Sequence, residues 1–193
     1  MNQPCIQPSR GSADETFRDL IWYVLAPPEE GPLTSAKKKL LSASINAAGP
    51  KAPATDWESV SLWNPEWKVI APEFEGTPAK LAEFQGRKNV LRLHPFPDRQ
   101  TPAALERKVK LEAEKSKLIF SVAADDRGDW QLQVKVDGRE LKRLDVGHDE
   151  PRWKQVSLDL AALAGKEVTI RLEAHATGWS YEFAYWADVR LDH

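Results

Sequence analysis

Trp186, Asp188 and Arg190 recur at every second position in the last extended run of the chain, and Glu182 stands at the start of the same series. The run before it carries Arg171, Glu173 and His175 at the same two-residue spacing. If both runs are strands that pair, an indole ring lies among guanidinium, carboxylate and imidazole groups on one surface. That mixture suits sugars, whose CH groups stack on an aromatic face while charged side chains hydrogen-bond the hydroxyls. Trp179, after Gly178, falls at a loop tip, either as a plug over the core or as a second platform. A plainer alternative carries more weight for an isolated cluster: Trp186 packs under a loop and the charges form ordinary salt bridges.

Other chemistry is harder to assemble. His94, His148, His175 and His193 are scattered, and none has a second histidine at metal-ligand spacing. There is no nucleophile elbow, phosphate loop or His-Glu-x-x-His motif. Asp125, Asp126 and Asp129 fall in one loop and are calcium candidates, since calcium takes oxygen ligands. Gly128 in that loop signals a simple turn equally well. Glu182 and Glu173 are the carboxylates a glycoside-processing enzyme would use, but acids are abundant and spacing selects none of them. The chain reads as non-catalytic.

Composition sets the frame for these residues. A chain of 193 residues holds one good-sized domain with an appendage, and 41% hydrophobic content with eight Trp supplies a core. The mixed charges sum to −2, which gives no electrostatic reason to bind nucleic acid. Cys5 is the only cysteine, so an internal disulfide and a cysteine zinc cluster are both excluded. No apolar stretch approaches the roughly 20 residues of a membrane span, and no signal peptide is visible after Met1.

The elements follow from periodicity. Residues 1–13 are polar and expected to be disordered. Phe17, Leu20, Ile21, Val24 and Leu25 repeat at helical spacing behind Asp14, within a short helical segment over 14–46. Ala47 to Thr55 reads as a linker. From Asp56 the period is two, with short runs broken by turn signals, which predicts an all-β, antiparallel, jelly-roll-like sandwich over 56–193. Strands are expected at Ser59–Leu62, Trp67–Ala71, Asn89–His94, Ala103–Leu111, Lys117–Ala123, Trp130–Val136, Glu140–Val146, Lys154–Leu160, Val168–His175 and Tyr181–Leu191. Asp137-Gly138 is a type I′ hairpin signal. In the last strand, Tyr181, Phe183, Tyr185, Val189 and Leu191 are expected to face the core, leaving Trp186 outside.

Several motifs in one order carry a resemblance. Asp56-Trp57-Glu58-Ser59-Val60-Ser61-Leu62-Trp63-Asn64-Pro65-Glu66-Trp67, Phe74-Glu75-Gly76-Thr77-Pro78, Gly86-Arg87-Lys88-Asn89, Gly128-Asp129-Trp130, Val136-Asp137-Gly138, Trp153, Ala164-Gly165-Lys166 and the run from Gly178 to Trp186 cover about residues 56–191. Together they resemble a C-terminal module of large, multidomain, haem-containing secreted proteins of planctomycete-type bacteria. The resemblance implies a galactose-binding-like β-sandwich, the architecture of many carbohydrate-binding modules, and assigns no ligand residues. Phe17-Arg18-Asp19-Leu20-Ile21-Trp22-Tyr23-Val24-Leu25 resembles the last helix of a class I c-type cytochrome domain. Haem attachment in that manner is excluded, because Cys-x-x-Cys-His is absent and Met1 is the sole methionine. The helix then reads as a remnant of a preceding domain.

The expectation is a non-catalytic, carbohydrate-binding accessory module of a larger exported protein, periplasmic or extracellular, with no cofactor beyond a possible structural calcium. The alternative is an interaction domain that docks on a partner haem or enzyme domain, and a glycoside-processing enzyme comes third.

Overall fold

The computed structural model describes residues 54–192, apart from Arg99, Lys115 and Trp179. The expected disordered start, the helical segment over 14–46, most of the linker and the Trp179 platform lie outside the described residues. The regular elements of the remainder are nearly all strands. Two five-stranded antiparallel sheets face each other as a jelly-roll-like sandwich. The first has the order β1 (Lys68–Ile70), β4 (Ala103–Lys110), β9 (Glu167–His175), β6 (Trp130–Val136), β7 (Arg139–Val146). The second has the order β2 (Ala79–Phe84), β3 (Arg87–Leu93), β10 (Ala184–Asp192), β5 (Lys117–Ala124), β8 (Lys154–Asp159). Among the described residues, no helix is long and apolar enough to cross a membrane.

Side-chain alternation builds the core between the sheets. Trp130, Leu132, Val134 and Val136 point inward from β6, and Val168, Ile170, Leu172 and Ala174 do so from β9, as their two-residue repeat requires. Asp137 and Gly138 both adopt positive φ, 49° and 78°, the geometry of the type I′ turn that joins β6 to β7. Gln85 and Gly86 do the same between β2 and β3, at 45° and 78°.

Three expectations need correction. Ser59–Leu62 is not a strand, because helix α1 (Trp57–Ser61) occupies most of that span. The Asp56 carboxylate accepts the Ser59 backbone N–H at 3.1 Å and caps the first turn, a local preference that overrides the alternation. Strand β2 is additional. It is an edge strand whose Ala-Lys-Leu-Ala-Glu-Phe run alternates only weakly.

The third correction concerns β10. Its register against β5 shifts between Ala187 and Arg190, where Asp188 takes φ 57°. This bulge inserts one residue and reverses which face later side chains meet. Before it, Ala184 and Trp186 point into the core; after it, Val189 does. Phe183, Tyr185 and Ala187 instead form a second apolar cluster with Val90 and Ala123, flanked by Leu81, Phe84 and Trp153. Trp186 is therefore 0% exposed, tilted against Trp130 at 5.2 Å and Phe120 at 6.1 Å between ring centres. It is a core residue and not an outward platform.

Candidate functional site: an aromatic rim on the second sheet

Four connections meet beside the second apolar cluster. They are the β2–β3 turn, the Asp125–Asp129 loop between β5 and β6, the residues leading into β8, and the segment before β10. Their joints are polar and cross-linked. Asp126 accepts from Gln85 Nε2 at 3.0 Å and also from Arg152. Trp153 donates its indole N–H to the Gln85 carbonyl at 3.2 Å. Thr177 donates its hydroxyl to Asp129. Gly128 lies so close to the next segment that an added Cβ would meet the Tyr181 carbonyl oxygen at 2.2 Å, so no side chain fits there.

These joints display a row of rings. Phe84 stacks on Tyr185 with centres 3.6 Å apart and planes 2° from parallel, and Trp153 meets Phe84 edge-on at 6.2 Å. The Arg87 guanidinium lies 5.2 Å from the Trp153 ring centre, and the Arg127 guanidinium covers Tyr181 at 3.7 Å. Tyr181 is 40% exposed. Burial pushes the Tyr185 hydroxyl pKa up, so that phenol stays protonated and can both donate and accept. The charges nearby are bridged: Arg87 with Asp188, Arg127 with Asp125, and Arg152 with both Asp126 and Glu150. Such a surface combines flat apolar faces with held donors and acceptors.

The residues singled out from sequence divide sharply. Glu182 sits close to the rim but is 3% exposed, and its carboxylate accepts the backbone N–H groups of Thr177, at 2.9 Å, and Gly178. It braces the segment before β10 and is not presented to a ligand. Arg190 lies toward the far end of β10, roughly 20 Å along the strand from Ala184, and bonds Asp192 at 3.1 Å. Arg171, Glu173 and His175 belong to β9, in the first sheet, so they cannot flank Trp186 on a shared surface. Ordinary salt bridges account for them.

That cluster has its own logic. Glu173 is 4% exposed and bonds Lys135 Nζ at 2.7 Å, Arg171 Nε at 3.0 Å and His175 Nε2 at 2.8 Å. Burial works to raise its pKa, but hydrogen bonds from Lys135, His175 and Arg171 prevail and hold the carboxyl below its ordinary range. A carboxyl depressed in the folded state adds stability that is present above its unfolded pKa, about 4.3. That stability is lost as pH falls through the folded value. Glu173→Gln is therefore expected to flatten the loss of melting temperature below about pH 5 relative to the native chain. Parallel curves for the two proteins would contradict this.

The three aspartates of the β5–β6 loop do not converge. Asp125 is held by Arg127, Asp126 by Gln85 and Arg152, and Asp129 by Thr177. Among the described residues, no group of three His, Cys, Asp or Glu side chains is placed to hold a metal ion. A calcium ion, which needs ~6–8 oxygen ligands, would have to displace two guanidinium groups.

Trp153 and Tyr181, the outer rings of the rim, were not distinguishable as site residues from spacing. Both precede regular strands, where no period fixes the direction of a side chain. The one available signal was composition, a large ring beside Arg in Arg152-Trp153 and a ring after a Gly-containing loop at Tyr181.

Comparison of the sequence with protein families finds no match, and comparison with curated proteins finds none either. Solved structures resemble the fold at low identity. One is CBM51-2 of Clostridium perfringens ZmpB in complex with GlcNAc, at TM-score 0.48 and 14% identity, over 68% of this chain and 31% of that one. Another is CBM51 from Clostridium perfringens GH95 in complex with methyl-galactose, at 0.46 and 13%, over 67% and 97%. A third is the carbohydrate-binding module CBM36 in complex with calcium and xylotriose, at 0.43 and 9%, over 64% and 89%. This chain thus spans under a third of the first of these chains.

Proposed function

We propose that the chain is a non-catalytic carbohydrate-binding module and that the rim of the second sheet is its ligand surface. The observation that carries this is the row formed by Tyr181 under Arg127, Tyr185 on Phe84, and Trp153 under Arg87. A sugar ring has an apolar face of CH groups and an edge of hydroxyls that both donate and accept. The open or half-open rings of Tyr181, Trp153 and Phe84, the last backed by buried Tyr185, satisfy the first, and the guanidinium, carboxylate and amide groups around Asp126 satisfy the second. Because the four bridged carboxylates outnumber the three guanidinium groups, the rim disfavours an acidic glycan and suits a neutral one.

Affinity electrophoresis of the whole chain through gels of neutral polysaccharides is expected to show retardation by at least one of them. Uniform mobility in all of them would refute the proposal.

The module acts without a metal. Millimolar calcium or a chelator is expected to leave the melting temperature and the retardation unchanged, because Arg127 and Arg152 already occupy Asp125 and Asp126. A calcium-dependent rise in melting temperature would contradict this. The order of sequence motifs supports membership in a larger exported protein, with the module as an accessory that holds its parent on a polysaccharide. That order also supports the kinship with haem-containing planctomycete-type proteins.

A further inference from the structure

A second site of different character lies away from the rim. Helix α1 and the β1–β4 edge of the first sheet border a cleft of about 530 Å³. This is within the ~300–1,000 Å³ of small-molecule sites. Trp67 lines its buried floor, and Trp57 lines it with 41% of its surface exposed. The Trp57 ring is held in place, since its indole N–H donates to Glu73 at 2.5 Å.

The cleft lining carries more cations than anions, Lys68, Arg107 and Lys108 against Glu66 and Glu106, the reverse of the rim. Glu66 is bound by Arg107 through two hydrogen bonds of 2.9 and 2.6 Å, and Glu106 is bound by Arg171 at 2.8 Å. Both acids are thereby neutralised by guanidinium groups. Lys108 is shared with Glu167, an exposed pair at 2.8 Å that solvent weakens. Lys68, on the edge strand, makes no ion pair among the described residues. The Trp67 indole N–H is sealed beneath the cleft and has no acceptor among the described residues. The cleft therefore combines an exposed flat ring with an uncommitted ammonium, while the Glu73 carboxylate beside it is taken by the Trp57 indole N–H.

We infer that this cleft binds the carboxylate-bearing sugar rings of an acidic glycan, with Trp57 against the ring face and Lys68 at the carboxylate. The inference is independent of the rim, which lies on the other sheet. A module with both would engage a neutral and an acidic glycan on separate surfaces.

The test is a titration of the isotope-labelled whole chain with trigalacturonate, using neutral xylotriose as control and the indole N–H resonances of Trp57 and Trp67 as readouts. Trigalacturonate is expected to move both resonances, xylotriose neither, and added salt should weaken the effect. Trp57→Ala should weaken binding about tenfold, read at Trp67, and Lys68→Ala about threefold. Both residues are exposed, so the fold should persist, and Tyr181→Ala, a rim variant, should leave the trigalacturonate response at Trp57 and Trp67 in place. Resonances that stay still with trigalacturonate would overturn the inference. So would an equal response to xylotriose, or a response that survives both cleft variants. A response lost in Tyr181→Ala would place the acidic sugar on the rim and also overturn it.

Discussion

Trp186→Ala is expected to lower stability by about 3–5 kcal/mol, enough to lower the melting temperature by about 6–20 °C or to prevent folding. The ring fills the centre of the sandwich between Trp130 and Phe120 and pairs through its backbone with Val122 and Leu91, both fully buried. Its truncation removes the contacts of two sheets at once and leaves a cavity that rigid strands cannot close. Trp186→Phe should cost far less. The Trp186 indole N–H finds no acceptor, unlike that of Trp130, which donates to the Ala123 carbonyl at 3.0 Å. Burying an unsatisfied donor costs about 1–3 kcal/mol, and phenylalanine removes that cost while keeping a ring. Thermal melts of the two variants check this. If Trp186→Ala melts within a degree or two of the native chain, the residue is not in the core.

The opposite pattern is expected at the rim. Tyr181→Ala combined with Trp153→Ala should abolish retardation in polysaccharide gels, a loss of at least about tenfold in affinity if each ring contributes near 1 kcal/mol. The melting temperature should move far less than with Trp186→Ala, because both rings sit at partly open positions. Gly128→Ala should weaken binding although it removes no rim side chain. The added methyl meets the Tyr181 carbonyl and must push the β5–β6 loop, carrying Arg127 and Asp126, away from the segment before β10. Retained retardation in the double variant would remove the rim from consideration.

The sandwich itself was legible because β6, β8 and β9 alternate without interruption. Trp130, Leu132 and Val134 or Val168, Ile170 and Leu172 can face the core only if every second residue does. Asp137-Gly138 declared its turn for a similarly local reason. What the alternation could not reveal was a change of phase. Aspartate can adopt a left-handed conformation, and Asp188 does so within a strand that otherwise reads as regular. That single residue moves Val189 to the face of Trp186 and leaves Phe183 and Tyr185 to build the outer cluster. The site was illegible in a further respect. Which strands are neighbours is a matter of topology, and β9 and β10, adjacent in sequence, belong to different sheets. The charged groups of β9 were consequently grouped with a tryptophan they never approach, while Arg152-Trp153 and Tyr181, far apart in sequence, meet the same β5–β6 loop.

Binding at the outer rim of the second sheet is tested most directly by following the indole N–H resonances of the whole chain as a retarding polysaccharide fragment is added. The signal of Trp153, bonded to Gln85 at the rim, should shift with saturation, and that of Trp186, sealed between the sheets, should hold still. A sugar that moves neither, or moves Trp186 while leaving Trp153 untouched, would contradict the assignment.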